Sequence, residues 1–224
     1  MEVVRGIHQV DGVQGNCYLV EHDGLVLVDT GLPRNAKKIL AYIRDMLRKD
    51  PHDVHTIVIT HYHADHTGNV RELRDATGAK VAIHAADAEY LSGKKPAEPL
   101  RGPLGRALSL VLFFRPAPFV EPDIVLQGGD SVAGLYCIHG PGHTPGSIAL
   151  LDPEHGVLFC GDALLTRNGQ LSGPPPAATA DMALAMTSVK ALSVPGYEVL
   201  LSGHGSPLMP GARNKVAKFL GVKS

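Results

Sequence analysis

The segment Thr60-His61-Tyr62-His63-Ala64-Asp65-His66-Thr67-Gly68 places three histidines and an aspartate within six positions. Imidazole and carboxylate together suit zinc, with iron or manganese as alternatives. A lone histidine is more often a satisfied polar residue than a ligand, but four such groups at this density do not read as structural. Three further candidates each lie just beyond an apolar run. His143 sits in Gly140-Pro141-Gly142-His143-Thr144-Pro145-Gly146, Asp162 in Cys160-Gly161-Asp162-Ala163, and His204 in Ser202-Gly203-His204-Gly205. Their glycines permit the tight turns that aim a polar side chain into a cleft. Singly they are weak: His143 or His204 is as easily structural, and Asp162 reads as a turn or cap residue.

Positioning these groups takes a framework of short elements. Cys17–Val20 and Leu25–Val28 flank His22-Asp23-Gly24, which reads as a β-hairpin. Ile39, Leu40, Ile43, Met46 and Leu47 fall at helical spacing within Asn35–Arg48. The β-branched run Thr56–Thr60 predicts a buried strand directly ahead of the histidine segment. A helix over Asn69–Thr77 and a strand over Lys80–Ile83 follow. Strands are then expected at Ile124–Gln127, Leu135–His139, Ile148–Leu151, Val157–Cys160 and Glu198–Leu201, with helices over Asp181–Leu192 and from about Gly211. Two stretches break the pattern. Residues 92–122 mix prolines with an apolar run, Leu108–Phe114, and with Lys94, Lys95, Arg101, Arg106 and Arg115. This insertion reads as a lid or binding loop, or equally as a solvated or dimer-contact loop. A Pro/Gly/Ala-rich loop runs over Asn168–Ala180. With no linker between the similar halves, residues 1–224 read as one α/β domain.

Bulk composition narrows the classes. The 224 residues and 44% hydrophobic content suit one soluble core, and 19% charged residues argue against a disordered chain. A net charge of −1 provides no basic excess for nucleic acid. No apolar run reaches membrane-spanning length, and the N-terminus shows no signal-peptide pattern. Cys17, Cys137 and Cys160 lack framework spacing and read as buried free thiols, so the expected setting is cytoplasmic. His84 and His139 read as structural, and His8, His22, His52, His55 and His155 as surface residues.

The His-x-His-x-Asp-His segment, with the later His, Asp and His in glycine-rich turns, resembles the metallo-β-lactamase fold superfamily. The resemblance runs from Asp29, in Val28-Asp29-Thr30-Gly31, to His204. It implies an α/β fold, a four-layer αββα sandwich with metals at one edge. It also implies a division of ligands: His61, His63 and His143 on a first metal, Asp65, His66 and His204 on a second, and Asp162 bridging them. Asp29 would support the ligands from behind, although an aspartate stabilising the turn after a strand is an equal reading. The implied cofactors are two divalent ions, foremost zinc, sharing a water whose pKa falls from about 15.7 towards 7. The resulting hydroxide would attack a small ester, thioester, lactone or phosphoester, with Asp65 passing a proton to the leaving group.

Departures from subfamily patterns sharpen this. Zinc β-lactamases generally lack an aspartate at the bridging position, which Asp162 fills here. Flavo-diiron reductases carry a carboxylate where this chain has His63. Glyoxalase II usually adds a helical domain where about one helix is expected after His204. Many acyl-homoserine lactonases have a tyrosine shortly after the bridging Asp, where this chain reads Ala163-Leu164-Leu165. The tRNA-processing nucleases carry a long exosite arm, and nothing in this chain is basic enough to bind tRNA. A glyoxalase II-like or lactonase-like hydrolase acting on a small molecule remains, with neither nucleic acid nor membrane as partner and a homodimer left open. The rival from another class is a persulfide dioxygenase-like oxidoreductase with one iron on His61, His143 and Asp162. A binding protein on an inactive fold is the third reading.

Overall fold

The computed structural model describes residues 1–99, 102, 119–167 and 169–222. Its first sheet has the strand order β1-β2-β3-β4-β5-β6-β7: Glu2–Val4, Ile7–Gln9, Tyr18–Glu21, Leu25–Val28, Val54–Ile59, Lys80–His84 and Ile124–Leu126. Pairing is antiparallel from β1 to β4 and parallel from β4 to β7. The second sheet has the order β14-β11-β10-β9-β8, built from Val199–Ser202, Val157–Gly161, Ile148–Asp152, Leu135–His139 and Ser131–Val132. Only its β11–β14 pairing is parallel.

Alternation along the strands decides the layering. In β4, Val26 and Val28 face the second sheet and pack with Val58, Ala82, Leu150, Phe159 and Leu201. Their neighbours Leu25 and Leu27 point the other way, onto Ile39, Ile43, Val70 and Leu73. In the second sheet, Ala149, Leu158, Cys160 and Leu200 turn outward onto Val189, Leu192, Ala212 and Val216. The helices supplying these outer contacts are α1 (Ala36–Ala41) and α3 (Val70–Thr77) on one side, and α5 (Met182–Ala191) and α6 (Ala212–Phe219) on the other. The architecture is therefore the four-layer αββα sandwich. Burying both faces of both sheets explains why β4 and β11 read as unbroken apolar runs.

Several expected boundaries shift. The helix expected over Asn35–Arg48 is α-helical only to Ala41 and continues as a π turn over Tyr42–Met46. The Asn168–Ala180 loop is partly a hairpin, because β12 (Leu165–Arg167) pairs with β13 (Gln170–Ser172). Two helices carried no sequence signal: α2 (Ala64–Thr67), a single turn inside the histidine segment, and α4 (Ala85–Leu91). The base of the 92–122 insertion is held by the Lys94–Glu121 ion pair and a Val120 N–H bond to the Leu91 carbonyl. Leu100, Arg101 and residues 103–118, including the Leu108–Phe114 run, Arg106 and Arg115, lie outside the described residues.

The assignment of His8, His22 and His155 to the surface is corrected. His8 is buried, and the His22 and His155 side chains are 12% and 17% exposed. Both of the latter contact the buried Asp152 carboxylate, which draws them inward. His52 and His55 are exposed as expected. The three cysteines are buried free thiols.

Candidate metal centre

The histidine and aspartate candidates all follow the C-terminal ends of strands or sit in turns at that same end. Asp29 follows β4, His61 to His66 follow β5, and His143 lies in the β9–β10 turn. Asp162 follows β11, and His204 follows β14. Parallel pairing of β4 with β5 and of β11 with β14 brings these ends together at one edge of the sandwich.

At that edge His61 Nε2, His63 Nδ1 and His143 Nε2 converge, with His143 Nε2 3.2 Å from His61 Nε2 and 3.0 Å from His63 Nδ1. Proton bookkeeping shows what such a cluster needs. Thr60 Oγ1 donates to Asp29 Oδ2 at 2.8 Å, so at its 3.1 Å contact with His61 Nδ1 the ring must be the donor. Thr179 Oγ1 likewise donates to the Pro175 carbonyl, so His143 Nδ1 donates to Thr179. Both neutral rings therefore present bare Nε2 lone pairs to one another. Burial, reinforced by the neighbouring imidazoles, holds His61 well below the ordinary histidine range. Burial likewise lowers His143 to about 3 and His63 to about 4, so protons do not relieve this repulsion. Two bare lone pairs at His61 Nε2 and His143 Nε2, with His63 Nδ1 converging on them, suit a cation. Tetrahedral zinc with bonds of about 2.0–2.1 Å would separate adjacent nitrogens by roughly 3.3 Å, close to the spacing seen.

A second group forms beside the first. His204 Nε2 lies 3.1 Å from Asp65 Oδ2, and His66 Nε2 4.0 Å from the same oxygen. His66 donates Nδ1–H to Asp29 Oδ2 at 2.8 Å, leaving Nε2 buried without a hydrogen-bond partner. Asp162 stands between the groups, with Oδ2 3.7 Å from His143 Nε2 and 3.5 Å from His204 Nε2. Its Oδ1 is also buried and orphaned, 3.5 Å from His66 Nε2. Buried polar atoms left this way call for an explanation, and a metal held between them provides one.

In the metal-free chain, protons occupy the second group. Burial disfavours an imidazolium at His66, but Asp29 and Asp162 more than reverse this and raise it well above the ordinary range. Hydrogen bonds to Asp162 and Asp65 raise His204 to about 9. Burial pushes Asp65 up, but His204 and His66 outweigh it and bring its carboxyl to about 2.

Glycine is required at one of these turns for space. A Cβ on Gly203 would overlap Asp162 Oδ1 and His66 Cε1. Asp29 has φ 57°, in the left-handed region that aspartate and asparagine tolerate better than most residues.

Thus all seven proposed ligands and Asp29 meet at one edge. His84 and His139 stand apart, stacked with centroids 3.9 Å apart, and join none of the candidate metal groups among the described residues. Asp87 was missed. Its buried carboxylate accepts from Tyr62 N at 3.1 Å, Thr144 Oγ1 at 2.7 Å and Gly146 N at 2.6 Å, tying the His61–His63 loop to the His143 loop. Its partners are 25 to 59 residues away, so no local spacing marks it. A cleft beside His63 and His143 is lined by Tyr62, Glu98, Pro99 and residues 177–180.

An αββα sandwich with a His/Asp cluster at the strand ends defines a class of metal-binding proteins, and sequence comparison agrees. The metallo-beta-lactamase superfamily pattern matches residues 10–204, and the chain belongs to that superfamily. It is 30% identical to a probable metallo-hydrolase of Bacillus subtilis (strain 168), over 92% of this chain and 86% of that protein. It is 35% identical to a hydroxyacylglutathione hydrolase of Rhodobacter capsulatus, over 81% of this chain but only 57% of that protein. Among solved structures, a subclass B3 metallo-β-lactamase of Bradyrhizobium japonicum superposes with TM-score 0.72 at 24% identity, covering 99% of this chain and 90% of that chain. A protein solved in a di-iron-bound form superposes with TM-score 0.69 at 29% identity, covering 95% and 98%.

Proposed function

We propose that this protein is a binuclear metal-dependent hydrolase of a small ester or thioester, with lactones and phosphoesters as related substrates. The observation that carries this reading is the convergence of bare imidazole nitrogens and orphaned carboxylate oxygen in two adjacent groups sharing Asp162. His61, His63 and His143 would hold the first cation and Asp65, His66 and His204 the second, with Asp162 available to either. When bound, such cations would supply Lewis acidity, making water nucleophilic at neutral pH and polarising the scissile bond. Zinc fits the donor set, with iron or manganese as alternatives. Similarity to a hydroxyacylglutathione hydrolase favours a thioester or ester.

The chain's own residues do the rest. Thr60 and Thr179 fix the tautomers of His61 and His143, and Asp29 fixes that of His66. Asp65, with its side chain 32% exposed, is placed to receive a proton and pass it to the leaving group. The cleft lined by Tyr62, Glu98 and Pro99 beside His63 and His143 receives the substrate. Residues 1–224 work as one domain, and the three buried free thiols favour a reducing, cytoplasmic setting. Among the described residues no helix is long and apolar enough to cross a membrane.

The test is metal content by elemental mass spectrometry on protein purified without added metal or chelator, followed by ester, thioester and lactone assays. About two ions per chain with hydrolytic turnover is the expected result. One iron per chain, with oxygen consumption on a persulfide substrate, would replace this reading with the oxidoreductase one. Asp65→Asn should lose turnover while most of the metal is kept.

A further inference from the structure

Three of the imidazoles at the metal edge are oriented from behind by a hydrogen bond. His61 gives its Nδ1–H to Thr60, His143 to Thr179 and His66 to Asp29. His63 is held differently. With its Nδ1 turned into the group, the neutral ring keeps its proton on Nε2. Among the described residues that N–H meets no acceptor. His204 has no acceptor behind it either, but its side chain is 38% exposed and can answer to water.

Aromatic packing takes the place of the missing bond. The His63 ring meets the Tyr62 ring at 72° with centroids 4.8 Å apart. Its two other ring neighbours, His61 and His143, belong to the metal group itself. Tyr62 is buried and stacks on the buried Tyr90, the rings 5° from parallel and 4.1 Å apart. Its backbone N–H is held by the Asp87 carboxylate at 3.1 Å. Asp87 and Tyr90 stand three positions apart on α4, so one face of that helix grips both the backbone and the ring of Tyr62. Lys95 Nζ lies 4.5 Å from the centroid of Tyr90, a cation–π contact that loads the far member of the stack. We propose that the Tyr62–Tyr90 stack braces the His63 ring and so sets the affinity of the first cation, with Tyr62 as its positioning residue.

The proposal rests on the reading of His63 as a ligand and concerns two residues that touch no metal themselves. An imidazole with no hydrogen bond from behind is free to turn about its Cβ–Cγ bond, and half a turn exchanges Nδ1 for Cδ2. Binding would then have to arrest that motion at the expense of affinity. A near-perpendicular contact against a ring that is itself fixed removes the alternative orientations beforehand, and aromatic pairs favour that geometry. The brace needs the six-membered ring of Tyr62 and not its hydroxyl, whose contact is a Glu98 N–H at 3.4 Å.

Competition of the zinc holoenzyme against a chromophoric chelator resolves two dissociation constants for wild type, Tyr62→Phe and Tyr62→Leu. Tyr62→Phe keeps the ring and should hold both constants within threefold of wild type. Tyr62→Leu should weaken one ion by about 10-fold or more and leave the other within threefold. Several results would overturn the brace: Tyr62→Leu matching wild type, Tyr62→Phe falling with it, or both ions weakening alike as in a general loosening of the fold. In the first of these the metal reading survives, because wild type still binds its two ions. A wild-type chain that takes up no zinc, iron or manganese would overturn that reading and the brace with it. If Tyr62→Leu does not fold by circular dichroism, Tyr90→Leu decides on the same readout: one weakened constant supports the brace, and unchanged constants refute it.

Discussion

Asp29→Asn changes one atom and separates the electrostatic role of Asp29 from its place in the backbone. Asparagine tolerates the φ of 57°, so the turn after β4 should keep its shape. The carboxylate accepts three hydrogen bonds, each at 2.8 Å: Thr60 N on Oδ1, and Thr60 Oγ1 and His66 Nδ1 on Oδ2. In the variant one of the two oxygens becomes an NH2 group, so whichever way the amide turns at least one donor loses its acceptor. With the NH2 at the Oδ2 position, Thr60 Oγ1 and His66 Nδ1 both face a donor, and His61 and His66 are driven to carry a proton on the nitrogen that should bind metal. With the NH2 at the Oδ1 position it faces Thr60 N–H and pushes the loop that carries both histidines away. Either way the two rings lose the charged partner that orients them. Loss of such an orienting partner costs about 10–100-fold in metal affinity, or about 1.4–2.7 kcal/mol. A buried donor left facing a donor costs a further 1–3 kcal/mol or so of stability in the metal-free chain. Competition against a chromophoric chelator measures the affinity. A dissociation constant within threefold of wild type would refute the tautomer argument.

Three other perturbations test separate links. Because the pKa of His204 is raised to about 9, its stabilisation of the metal-free fold is fully present below pH 6.5 and fades as pH rises through 9. The Tm of the chelated protein should therefore fall over that window while metal affinity rises, since metal must displace the protons on His66 and His204. Gly203→Ala should displace Asp162 and His66 together, lowering metal stoichiometry in elemental analysis more than it lowers helical content by circular dichroism. Phe159 is 1% exposed in the inter-sheet core and packs on Tyr18 at 5.4 Å. Phe159→Ala should cost about 3–5 kcal/mol by urea denaturation, and a loss below 1 kcal/mol would contradict the placement of that core.

Much of this was legible in the chain because the signals are local. His61, His63, Asp65 and His66 share one loop, and each later ligand follows its own apolar strand. The strands Leu135–His139 and Val157–Gly161 and the helix Met182–Ala191 match the apolar runs that forecast them, the helix entering on the Asp181 side chain, which accepts from Leu184 N. The first helix was less legible because its apolar spacing continues past Ala41 into residues that wind as a π turn. α4 was invisible because its Ala-Ala-Asp-Ala-Glu-Tyr-Leu sequence offers little apolar periodicity. The inward place of His22 depends on Asp152, which lies 130 residues away. Separation along the chain, more than chemistry, sets what a single sequence reveals.

That distinction also explains how the edge cluster is held. Its ligands sit on loops, which are the least constrained parts of a sandwich. Two buried carboxylates behind them supply the constraint. Asp29 reaches from β4 to Thr60 and His66, so the loop after β5 cannot turn without breaking three bonds. Asp87 reaches from α4 to Tyr62 in that same loop and to Thr144 and Gly146 beside His143. Burial raises the Asp87 carboxyl to about 6, so its charge is costly there, and those same hydrogen bonds partly offset the cost. An apolar residue at either position would avoid that penalty but would leave buried N–H groups without acceptors and the imidazoles free to rotate. The fold accepts two expensive charges behind the cluster because they convert mobile loops into a geometry with fixed lone-pair directions, which is what coordination of a metal requires.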